Sequence, residues 1–288
     1  FRGIGNSKLP LIFVSIACGV NIIGDFLFVG LMKMDVAGAA LATILAQAVS
    51  VVLSIIIIKN TKLPFEFTLK DIRFHGMEIK SMLTLGIPIA MQDTLTSVSF
   101  LIVNSMVNSM GLVSSAGYGV ANKIVNFIFL VPSAFMQAMS AFVAQNIGAG
   151  KPERARKALF QGMGTALCIG IVMFCLGAFG GGMMARIFSS DMQVVDACAT
   201  YLRSFSLDCI ITCMLFIFMG FFNGCGHTKL VMIQGLIGAF LVRIPLSYVI
   251  CQMTGSLFLM GFATPAASLV SSIICICYYR YLVHKKLI

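Results

Sequence analysis

Residues 9–32 read LPLIFVSIACGVNIIGDFLFVGLM, and this stretch decides what kind of molecule the chain makes. As a helix over 10–31, at roughly 1.5 Å rise per residue, it is long enough to cross a hydrocarbon core of about 30 Å. Asn21 and Asp25 stand one helical turn apart in it, so an amide and a carboxylate share a face. A lone carboxylate at mid-bilayer costs about 2.5–3.5 kcal/mol on insertion scales. Asp25 is therefore expected to face a partner, a bound cation, a proton or a water-filled cavity.

The same apolar character runs along the whole chain. Of its 288 residues, 59% are hydrophobic and 10% charged, with a mean hydropathy of +1.00. Soluble domains carry about 25% charged residues, so an all-α integral membrane protein is expected. Apolar runs predict eight spans, at 10–31, 36–58, 82–108, 116–145, 158–182, 194–221, 230–252 and 256–282. Segments such as VVLSIIII and IVMFCLGAF are apolar on every side, which argues against the alternating strands of a barrel.

The net charge of +10 is a topology signal and does not point to nucleic acid, because the basic residues fall in alternate loops. They crowd into 59–80, 151–157 and 280–286 on one side, whereas the other side has only Lys33 and Arg186. By the positive-inside rule the crowded side is cytoplasmic, and both chain ends lie there. The ten cysteines lie mostly within apolar runs at spacings that match no zinc or redox pattern, and they read as small buried hydrophobes.

An internal repeat organises the rest. FRGIGNSKL at 1–9 recurs as FNGCGHTKL at 222–230, each copy in a positive-side loop and each followed by two spans. Two homologous halves are expected: 1–58 as the end of the first, 59–80 as a cytoplasmic linker, and 81–288 as a second half of six helices. Four further helices upstream would complete a pseudo-symmetric twelve, so the chain reads as a fragment or a truncated frame.

Within the spans, Thr43 lies at a depth similar to Asp25 on the neighbouring helix, and the two could share a cation. The linker, KNTKLPFEFTLKDIRFHGMEIK, predicts an amphipathic helix at the inner interface. Pro88 predicts a kink or break in the third span. Gln92 and Asp93 follow it, then a polar stripe of Thr96, Ser99 and Asn104. Asp93, Lys123, Arg203, Asp208 and Arg243 place two acids and three bases inside later spans, and pairing such as Lys123 with Asp208 would offset their burial.

AQNIGAGKPERA at 144–155 resembles the signature at the inner end of the eighth helix of the MATE family, the multidrug and toxic compound extrusion transporters. The two FxGxGx[ST]KL copies are similar to that family's loops after its fourth and tenth helices, and GIPIAMQ to the start of its seventh. The resemblance covers the chain as helices five to twelve of a MATE-like bundle. It implies a cation or proton site built from Asn21, Asp25 and Thr43, with Na+ as a possible ion and a fourth acid on a first helix outside this chain. It implies secondary active efflux of organic compounds, often cationic, in exchange for H+ or Na+ at the plasma membrane, without a cofactor. Asp93, Lys123 and Asp208 are candidate cavity or ion-pair residues. A lipid-linked oligosaccharide flippase of related architecture and a non-transporting remnant are the alternatives, and an enzyme is not expected, because the three histidines form no catalytic set.

Overall fold

The computed structural model describes residues 1, 5–60 and 74–285. Eight helices among them are long and apolar enough to cross a membrane: α1 (Lys8–Leu31), α2 (Asp35–Lys59), α3 (Gly76–Asn108), α4 (Leu112–Gly148), α5 (Pro152–Ala185), α6 (Met192–Gly224), α7 (Thr228–Met253) and α8 (Leu257–His284). Seven of the eight expected spans fall within one of them, and the eighth, 256–282, starts one residue ahead of α8. Most of the expected interfacial helix, 61–73, lies outside the described residues. The chain divides into two compact units, Phe1–Gly76 and Met77–Ile288.

The first unit is the hairpin of α1 and α2. A Cβ on Gly24 would come within 2.9 Å of the Ala42 Cβ, and one on Gly38 within 3.0 Å of Phe28, so small residues set how closely the two helices approach. Ala42 and Ala46 are buried on that face. After Asp25 the backbone of α1 widens into a π-helical turn, Phe26–Leu31, closed by Met32 N–H donating to Leu27 O at 2.9 Å. Such turns recur at functional sites.

The second unit is built around α6, whose buried side chains run along its length from Val195 to Phe222. α4 and α5 pack closely on it because glycines remove the side chains between the backbones. A Cβ on Gly170 of α5 would lie 2.9 Å from the Ile210 Cα, and one on Gly224 would lie 2.7 Å from Ser140 O on α4. Gly220 is tighter still against Met136 O. α3 continues through Pro88 as one helix, so of the kink or break expected there no break occurs, and Pro88 itself is buried. The irregular turn of this unit lies instead in α7, where a π-helical segment, Ile237–Arg243, directly precedes Ile244 and Pro245. A proline lacks the N–H and crowds the carbonyl four residues back, and the wider turn accommodates both effects.

The repeat reads alike in backbone geometry. Gly5 and Gly226, at matching places in the two copies, both adopt left-handed conformations, with φ of 85° and 80°. Asn6 N–H donates to Phe1 O at 3.0 Å, and His227 N–H donates to Phe222 O at 2.8 Å, the same bond at matching places. At the same spacing further on, Ala42, Thr43 and Ala46 answer to Ala263, Thr264 and Ala267, and all four alanines are buried. The AQNIGAGKPERA string forms a similar turn: α4 ends at Gly148, Gly150 has φ 69°, and Pro152 opens α5, where its missing N–H is harmless.

Not every cysteine is buried as expected. Cys198, Cys209, Cys213 and Cys275 are buried, but Cys18, Cys168, Cys175 and Cys277 lie on exposed helix faces. In a membrane an outward position suits a small apolar residue as well as a core position does.

Gly220→Ala should lower the unfolding free energy by about 1–3 kcal/mol, because the new methyl overpacks the α4–α6 contact. Gly164, which has open space around its Cβ position, should accept alanine without loss. Unfolding of the purified variants in detergent checks this, and equal effects at the two sites would contradict it.

His227 lies in the turn between α6 and α7, with Nδ1 3.2 Å from the Tyr278 hydroxyl. Burial holds its pKa below the ordinary histidine value. The folded state therefore favours the neutral ring, and that contribution to stability is present above about pH 6.5 and lost as pH falls through the depressed folded value. Unfolding midpoints should drop on acidification below that range, and His227→Gln should flatten the slope.

Candidate functional site

Asn21 and Asp25 project from the last α-helical turn of α1 before the π segment. Asn21 Nδ2 donates to Thr43 Oγ1 at 3.4 Å, and the Thr43 hydroxyl donates in turn to Ala39 O at 3.0 Å. The structure therefore joins two of the three residues expected to act together. Asp25 is half-buried, and its Oδ1 is enclosed with no hydrogen-bond partner. Gly24 lies against Ala42, so Asp25 and Thr43, the residues that follow them, sit at a close approach of the two helices. The oxygens available are a carboxylate, the Asn21 amide carbonyl and the remaining lone pair of the Thr43 hydroxyl. Such hard oxygen donors suit a proton or a hard monovalent cation. Among the described residues, no group of three or more His, Cys, Asp or Glu side chains could hold a metal ion.

The other three candidates part company. Asp208 is fully buried on α6 and lines a cavity of about 180 Å³ within the second unit. Asp93 is exposed on α3 and does not line it, whereas the preceding residue, Gln92, is buried and does. Lys123 is exposed on α4 with its Nζ 5.8 Å from the centre of the Phe188 ring. The suggested Lys123–Asp208 pair does not form. Asp208 Oδ2 accepts from the Thr212 hydroxyl at 2.9 Å, and that hydroxyl lies 3.2 Å from Ser268 Oγ.

The base that shares the cavity with Asp208 is Arg243. It sits at the end of the π segment of α7, stacked 4.3 Å from the centre of the Phe100 ring. Of the expected stripe, Thr96 lines the cavity and Ser99 is buried, its hydroxyl donating to Ala239 O at 3.5 Å. Gln234, Thr212 and Ser268 were not singled out by sequence reading. A glutamine and a threonine within apolar runs are weak signals until the neighbouring helices are in place.

A model of the MatE family matches residues 88–249, more than half of the chain. The chain belongs to the MatE family. Among relatives of this MatE chain, the probable multidrug resistance protein YpnP of Bacillus subtilis is 27% identical over 282 residues, 97% of this chain and 62% of YpnP. The FAD transporter of Shewanella oneidensis is 25% identical over 207 residues, 70% of this chain and 45% of that protein. The outward-facing structure of a multidrug resistance MATE family transporter superposes with a TM-score of 0.86 at 17% identity, over 94% of this chain and 61% of that one. That likeness establishes the fold of the MatE chain as a multi-pass helical bundle. The chain spans less than two thirds of the length of each of these proteins.

Lys123→Met and Asp208→Asn should act independently, their effects on stability adding to within about 0.5 kcal/mol in a double-mutant cycle. A coupling above about 1 kcal/mol would restore the pair that the sequence suggested.

Proposed function

We propose that the protein carries out secondary active efflux of small organic compounds, cations among them, in exchange for H+ or Na+. Family membership supports a transporter, and the multidrug resistance names of several relatives support export of varied small molecules. The distribution of Lys and Arg supports a plasma-membrane protein with both chain ends in the cytoplasm.

The observation that carries the coupling role is the bare, enclosed Oδ1 of Asp25, one turn from the Asn21–Thr43 bond. An unbonded carboxylate oxygen inside an apolar span is unfavourable when charged and empty, and becomes favourable once a proton or cation occupies it. Filling the site from outside would thereby bias the packing of α1 on α2, and emptying it would reverse the bias. The π turn that begins beside Asp25 gives the backbone a place to change register. Alternating access driven by this exchange needs only a few kcal/mol between two packings.

The test uses proteoliposomes containing the protein at the length its gene specifies, loaded with a fluorescent organic cation. An imposed proton or sodium gradient should drive efflux in the native protein. Asp25→Asn should reduce gradient-driven efflux at least tenfold while leaving the protein folded, and unchanged coupling would refute the assignment.

A further inference from the structure

The cavity of the second unit contains an acid and a base whose free atoms do not bond to each other. Arg243, 8% exposed, leaves Nε and Nη1 without an acceptor. Asp208 is fully buried and leaves Oδ1 without a donor, its other oxygen being taken by Thr212. Gln234, 1% exposed, adds a second bare acceptor, Oε1. All three side chains line the same cavity, whose remaining wall includes Phe100, Phe129 and Phe216. Unbonded polar atoms are rare in protein interiors, and here donors and acceptors of opposite charge converge on one space.

Charge balance selects the ligand. A bound anion would satisfy Arg243 but stand unpaired against the Asp208 carboxylate, and a bound cation would satisfy Asp208 but oppose Arg243. A molecule carrying both charges meets both demands and leaves the cavity neutral. We propose that this cavity is a binding site for a small zwitterion with an aromatic or aliphatic body. Its carboxylate accepts from Arg243, its ammonium donates to Asp208 Oδ1 and Gln234 Oε1, and its apolar part packs among the phenylalanines. A volume of about 180 Å³ admits a single amino-acid-sized molecule. The stacking of the guanidinium on Phe100 holds the base in place before any ligand arrives. This site goes beyond the ion coupling at Asp25 and does not depend on it.

Equilibrium dialysis of the purified 288-residue chain in detergent against tritiated L-phenylalanine provides the test. Saturable binding is expected, and unlabelled 3-phenylpropionate and 2-phenylethylamine, which keep the ring but lose one charge each, should compete at least tenfold more weakly than phenylalanine. Arg243→Gln and Asp208→Asn should each weaken phenylalanine binding tenfold or more, with circular dichroism confirming that helix content is kept. No saturable binding, an analogue that competes as well as phenylalanine, or a folded variant of undiminished affinity would each overturn the proposal. If either variant fails to fold, the competition on the unaltered chain decides alone.

Discussion

A hydrocarbon interior offers no water to a polar atom, and that constraint shapes most of what the spans contain. Several serine and threonine hydroxyls on them turn back on their own helix: Ser54 to Ser50 O, Thr84 to Lys80 O, Thr94 to Ala90 O, Ser97 to Asp93 O and Ser272 to Ser268 O. These residues carry polarity without needing a partner. Against that background, the buried atoms that lack a partner stand out, and the charged ones among the described residues are Asp25 Oδ1, Asp208 Oδ1 and two nitrogens of Arg243.

Within the second unit, close packing surrounds Asp208 and Arg243. Glycines on α4, α5 and α6 bring backbones together, and the aromatic side chains of α6, Phe205, Phe218, Phe221 and Phe222, fill the interior around them. A tightly packed frame can hold a bare carboxylate in place, whereas a loose one would let neighbouring side chains collapse onto it. Each unit has one π turn beside such a group, the first after Asp25 and the second ending on Arg243. Each candidate site therefore borders the irregular part of its helix.

The fold was largely legible in the sequence, since hydropathy alone places eight spans and the FxGxGx[ST]KL repeat marks two turns with the same hydrogen bond. The candidate site of the first unit was legible as a neighbourhood: helical spacing puts Asn21 and Asp25 on one face, and Thr43 meets Asn21 from the next helix. The cavity was not. Asp93 and Gln92 are adjacent, and only the rotation of α3 decides that the amide points in and the acid out. Lys123 could have met Asp208 by depth alone, yet the face that α4 turns to α6 is set by Gly117 and Tyr118, which leaves Lys123 outward. Helix rotation is a property of packing between segments, and one-dimensional periodicity determines it weakly when a span is apolar all round.

The exchange we propose, of a proton or a cation at Asp25, takes place inside the apolar hairpin of α1 and α2. Infrared difference spectroscopy of the protein in lipid, recorded across a pH series with and without Na+, observes that exchange directly. A protonated-carboxyl band that grows on acidification, is suppressed by Na+ and vanishes in Asp25→Asn is the expected result. A spectrum unchanged by the substitution, under every condition, would contradict the account.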